Sequence, residues 1–145
     1  MTPEKDLQLA SKYPKIFKNL ARSYQERPAA EAWGFECWDG WYDILDSLFN
    51  TIQSRVDWKG RTMAPEELAA YQPRAFIVKS KFGGLRVDIF GGDYEISGMV
   101  QMAESMSYKI CECCGNPGSR KGNGWIFTMC DPCWTKREEE RGMAK

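Results

Sequence analysis

Cys111, Cys114, Cys130 and Cys133 form two C-x2-C pairs separated by fifteen residues, a spacing that lets four thiolates close on one metal ion. Zinc(II) imposes no geometry of its own and accepts four sulfurs in a tetrahedron. Gly115, directly after the first pair, suits a positive-φ turn that aims amides back at the sulfurs. Between the pairs, Asn116-Pro117-Gly118 and Gly122-Asn123-Gly124 are turn material, and Trp125-Ile126-Phe127-Thr128 is β-prone. The pattern predicts a zinc ribbon holding one structural Zn2+, because four cysteines leave no position open for water or substrate. Disulfides and thiol exchange are the competing uses of such pairs. Disulfides need an oxidising compartment, and the first residues, Met1 to Asp6, contain no apolar signal segment. Cys113 reads as a spare, since Cys111 with Cys114 has the better loop geometry and the following glycine.

The rest of the chain offers little that could do bond chemistry. It has no histidine, so the usual general base at neutral pH is missing. Walker-type and dinucleotide-type glycine motifs are also missing. Asp39, Asp43 and Asp46 could pose as an acid cluster at a helix start, but capping and dipole complementarity explain them more simply. Cys37 lies among Trp33, Phe35, Trp38 and Trp41 with no neighbouring lysine or histidine to activate it, so packing is its default role. A non-catalytic protein is the expectation.

These residues must be positioned by a small α+β body. At 145 residues, with 43% apolar and 28% charged side chains, the chain suits one core with a metal subdomain attached. Residues 1–108 read as a helical and β-hairpin main domain. Residues 109–145 read as the zinc ribbon with a short, charged terminal helix over Trp134–Arg141, packed on the main domain. Thr2-Pro3 is a helix start; Pro14 interrupts that helix, and Ile16, Phe17, Leu20, Ala21 and Tyr24 resume helical spacing before loop-like residues 25–34. Asp39 is expected to cap a helix over residues 40–57, whose apolar stripe runs from Trp41 through Ile44, Leu45, Leu48, Phe49 and Ile52 to Val56. Pro65–Tyr71 is a short helix ended by Pro73. Strands over residues 76–81 and 85–90 flank a turn at Phe82-Gly83-Gly84, and Asp93 opens a helix over residues 94–107. Met99, Met102 and Met106 recur at helical spacing, which suggests core packing rather than a soft groove. The expected fold is a small antiparallel hairpin sheet packed by amphipathic helices, followed by the four-cysteine zinc ribbon.

Several blocks, in order, resemble a family of short proteins from tailed bacteriophages and prophages. They are Gly34-Phe35-Glu36-Cys37 with Asp39-Gly40-Trp41, Lys79-x-Lys81-Phe82-Gly83-x-Leu85-Arg86, and Met102-Ala103-Glu104-x-Met106-Ser107. The ribbon adds Cys111-Glu112-x-Cys114-Gly115-x-Pro117-Gly118 and Gly124-Trp125-x-x-Thr128-x-Cys130-Asp131. The resemblance spans roughly residues 33–133. In that family the last ligand can be histidine, where this chain has Cys133. It implies a phage-encoded protein made in a bacterial cytoplasm, and it brings no activity or catalytic residues. Six cysteines without a signal segment independently suggest a reducing cytoplasm, and no apolar run is long enough to cross a membrane.

Net charge is zero, which argues against a dedicated, strongly basic nucleic-acid binder. Residues 72–92 carry +3 and residues 109–145 carry +2, separated by the −3 of residues 93–108. Two binding roles follow. In the first, a host protein or nucleic acid docks on an edge presenting Arg120, Lys121 and Trp125, as an adaptor or inhibitor would arrange it. The plainer reading of that edge packs Trp125 between ribbon and main domain and leaves Arg120 and Lys121 solvated, because small ribbons need such packing. In the second, Lys79, Lys81 and Arg86 alternate onto one strand face and cradle a phosphorylated small molecule, such as a nucleotide signal of antiviral defence. The plainer reading of that face is the solvent side of an antiparallel sheet.

Overall fold

The computed structural model describes residues 1–18 and 34–143. The expected helical continuation through Leu20, Ala21 and Tyr24, most of the loop at 25–34, and Trp33 lie outside the described residues. The fold is α+β, as expected. Helix α1 spans Pro3–Lys12, strand β1 Phe35–Glu36, helix α2 Tyr42–Lys59, helix α3 Pro65–Tyr71, strands β2 and β3 Arg74–Lys81 and Gly84–Phe90, and helix α4 Tyr94–Ser107. The ribbon adds β4 Ser119–Lys121, β5 Phe127–Met129 and helix α5 Asp131–Met143, which is longer than the terminal helix expected from Trp134.

The antiparallel β2–β3 hairpin turns on two residues, since Lys81 pairs directly with Gly84. Phe82 (φ 54°) and Gly83 (φ 76°) both lie in the left-handed region, the signature of a tight hairpin turn that matches strand twist. Gly84 belongs to the strand, not the turn. A Cβ there would sit 2.3 Å from the Tyr108 ring, so glycine admits that ring against the sheet. Strand β1 adds a parallel third member, pairing Phe35 with Val78, and two residues are too short a run to show strand periodicity in the sequence. On the other side the free amides of β3 are covered. Leu85 N donates to Ser107 Oγ (2.8 Å) and Val87 N to Glu104 Oε1 (3.0 Å), so side chains of α4 blunt an edge that would otherwise invite pairing.

The core lies between this sheet and helices α1, α2 and α4, with Trp41, Leu45, Phe49, Ile52, Leu85 and Ile96 buried together. Phe17 sits edge-on to both Phe35 (5.1 Å) and Phe49 (4.6 Å). Asp93 caps α4 as expected, accepting from Ile96 N at 3.2 Å. Asp39 does not cap α2. It sits in a 3₁₀ turn (Asp39–Trp41), and its carboxylate accepts from the Thr2 amide (2.7 Å) and hydroxyl (3.2 Å). The Thr2 hydroxyl donates to that carboxylate and makes no capping bond to α1. Met99 packs against the core as expected, but Met102 and Met106 do not. Met102 is 66% exposed, and with Met99, Met106, Ile44 and Leu48 it lines a shallow apolar groove of about 430 Å³ between α2 and α4.

Candidate metal centre and adjoining groove

The first cysteine pair sits in a loop closed by Gly115 N donating to Cys111 O (2.9 Å) and Cys111 N to Asn116 O (2.7 Å). Gly115 has φ 80°, a conformation that side chains resist. The second pair enters α5, where Trp134 N donates to Cys130 O at 3.0 Å. Together they bring the sulfurs of Cys111, Cys114, Cys130 and Cys133 within 4.8 Å of one another. Sulfurs held about 2.3 Å from a central metal lie about 3.8 Å apart in a tetrahedron, and Cys114 and Cys130 Sγ are 3.6 Å apart. Cys113 is exposed and outside this cluster. The crowding is costly without a cation. Burial and hydrogen bonding to the other thiols push Cys133 far up, while Cys111, raised by burial, is drawn down to about 7 by backbone amides. A dication among the four supplies the charge that lets all of them ionise. The four sulfurs are placed so that they could hold one metal ion and fill all four tetrahedral positions around it.

The centre is built into the main domain. Gly40 N donates to Glu112 O (2.8 Å), and Glu112 N donates to Thr128 O (2.8 Å), so the residue after the first ligand bridges the 3₁₀ turn and β5. A Cβ on Gly40 would stand 2.2 Å from Cys111 O and 2.6 Å from Gly115 N. Trp41 Nε1 donates to Ile110 O (2.9 Å), and Thr128 Oγ1 to Gly83 O (2.5 Å). The aromatic at the joint is Phe127, stacked on Trp38 at 5.9 Å. Trp125 is not the packing residue: it is 84% exposed. It lies in the loop before β5, whereas Phe127 and Met129 fall within the strand that meets the main domain.

Between the hairpin turn and the ribbon runs an open groove of about 710 Å³. Lys79, Lys81, Trp38, Phe82, Trp125 and Phe127 contribute to its walls, and Glu112, 2% exposed, lies among them and accepts from Ser80 Oγ (3.0 Å). A second depression of about 480 Å³ shares Trp125 and Phe127 with it and adds Trp134, Arg137 and Arg141. Of the residues marked in the sequence, Lys79, Lys81 and Trp125 thus come together. Arg86 is paired with Lys79 across the hairpin but does not line the groove. It donates to Leu85 O (2.7 Å) and Tyr108 Oη (2.9 Å) and faces Glu104. Arg120 donates to Phe82 O (3.2 Å), with its guanidinium over the Tyr108 ring, and Lys121 is tied to Asp131 (2.6 Å). Arg86 and Arg120 tie the hairpin to α4, Tyr108 and the ribbon, and Lys121 ties β4 to α5 within the ribbon. Sequence reasoning missed Phe82, Glu112 and Arg137 as groove residues. Arg137 had one legible signal, its place four residues after the ligand Cys133 on one helix face.

The acid cluster dissolves into separate pairs. Asp39 faces Thr2 and Lys5, and Asp46 faces Lys12 (2.8 Å) and the Tyr13 hydroxyl (2.6 Å). Burial pushes the Cys37 thiol up to about 12, which keeps it protonated at neutral pH. Among the described residues no helix is long and apolar enough to cross a membrane. No family model matches the chain, and neither a curated protein nor a solved structure matches it.

Proposed function

We propose that this chain is a non-catalytic zinc-ribbon protein that binds a host macromolecule through the face where hairpin and ribbon meet. In this reading it is a phage accessory protein acting in the bacterial cytoplasm as an adaptor or inhibitor. The observation that carries the binding role is the groove itself, where exposed aromatics from three separate segments converge with Lys79 and Lys81. Exposed large rings beside cations are the usual anchors of a contact surface. Zinc is the metal that four thiolates in a closed site select most readily. The provenance rests on the ordered blocks of residues described above.

The concavity also supports a second reading, in which Lys79 and Lys81 hold the phosphates of a small nucleotide. One experiment separates the two. The pure protein and its Lys79→Glu/Lys81→Glu variant serve as baits in bacterial lysate, with co-purified nucleotides measured alongside. A macromolecule captured by the wild type, lost from the variant and weakened by salt is the expected result. Nucleotide retention without a macromolecule favours the second reading. A salt-insensitive partner held equally by the variant overturns both.

A further inference from the structure

We propose that the hairpin–ribbon face binds single-stranded nucleic acid, with unstacked bases seated against Trp125, Phe82 and Trp38. This rests on the binding reading above and gives its partner a chemistry. Trp125 is 84% exposed and walls both depressions; Phe82 is 63% exposed and Trp38 36%. The same chain buries Trp41, Phe17 and Phe49 almost completely and exposes Trp58, Phe90 and Tyr94 elsewhere, so what marks Trp125, Phe82 and Trp38 is that they line one groove.

The cations beside them are of a particular kind. Lys79, Lys81 and Arg137 have no carboxylate at ion-pair distance among the described residues, whereas Arg55, Arg86 and Lys121 are each held by one. Lys81 Nζ lies 5.4 Å from the Phe82 ring centroid. The Arg137 guanidinium lies 4.2 Å from the ring centroid of Phe127 and 5.3 Å from that of Trp38. Rings beside cations that lack a close ion pair match a strand that offers flat bases and phosphates together. A duplex keeps its bases stacked on one another and cannot give them to rings set in a groove. Two acids oppose a phosphate in this groove, the exposed Glu36 and Glu112, which is 2% exposed and bonded to Ser80 Oγ, so the phosphates must follow the lysine side.

Zero net charge gives no long-range attraction, so the footprint must be short. Three cations on a single strand predict a slope of log K against log salt of about −2. The test is fluorescence anisotropy with labelled deoxythymidine and uridine decamers, and with a duplex of the same length, on the zinc-loaded protein. Expected are micromolar binding to a single strand, tenfold or weaker binding to the duplex, and the shallow salt slope. The two decamers tell DNA from RNA. Trp125→Ala should weaken binding about tenfold or more, with metal content and melting temperature unchanged. Lys79→Glu/Lys81→Glu should abolish it. Absence of binding to either decamer at about 0.1 mM, or binding unmoved by both variants, overturns the inference. A nuclease-resistant lysate partner lost on Trp125→Ala identifies a protein instead, which sinks this proposal and leaves the binding role standing.

Discussion

Trp125 and Met129 lie four residues apart and are asked to do opposite things. Trp125 is 84% exposed, and Met129, at the end of β5, is wholly buried. Trp125→Ala should therefore leave stability within about 0.5 kcal/mol of wild type, while Met129→Ala costs about 2–5 kcal/mol. Denaturant melts of the two variants check this, and equal losses would show that the ribbon docks in another register. Gly40 is the sharper case. Its missing side chain lets the 3₁₀ turn lie against the backbone of the first cysteine loop, and backbone cannot swing aside as a side chain can. Gly40→Ala should cost at least the roughly 3 kcal/mol at the upper end of overpacking penalties and lower metal affinity with it. A variant that keeps full stability and metal would refute that tie. The sequence announces the ligands, because thiolate spacing is a local rule. It is silent on Trp125 against Phe127, because contact-surface and core aromatics have the same composition and differ only in what folds over them.

Among the elements, the Asp93 cap joins three helices. Its carboxylate accepts from Ile96 N at the start of α4, from Arg55 on α2 (3.1 Å) and from Tyr71 Oη on α3 (3.0 Å), with Lys59 at 3.4 Å. Partial burial pushes this acid up, but the Ile96 amide, Arg55, Tyr71 and Lys59 together pull it well below the carboxylate range. A depressed folded-state pKa stabilises above the unfolded value and is lost as pH falls through the folded one. Acidification below about pH 4, the ordinary aspartate value, should therefore erode the advantage of wild type over Asp93→Asn. Asp93→Ala, which also loses the cap, should cost about 2–3 kcal/mol at neutral pH. Parallel melts from pH 3 to 7 test both statements, and a pH-independent gap would move the effect elsewhere. This cap was legible because a lone acid before an apolar helical stripe has few other uses. The two residues of β1 were not, since their pairing with Val78 and Lys79 is decided by the distant hairpin.

At the scale of the molecule, the ribbon and main domain form one joint. Its ties are Gly40 to Glu112, Trp41 to Ile110, Thr128 to Gly83 and Phe127 on Trp38. The pure protein should carry about one zinc per chain, falling towards none in Cys130→Ser. Chelation should lower the melting temperature of the whole chain in a single transition. A separate early ribbon transition, or full metal content in Cys130→Ser, would contradict this arrangement.

The bridge through Glu112 has a consequence beyond architecture. Whatever binds only the folded state stabilises it by mass action, and each tenfold rise in free ligand well above its dissociation constant adds about 1.4 kcal/mol. Because the cysteine loop is hydrogen-bonded through Glu112 to the turn that launches α2, that increment reaches the core and not the ribbon alone. Chelation should therefore raise protease sensitivity across the whole chain rather than in the ribbon alone, which limited proteolysis with and without chelator would show.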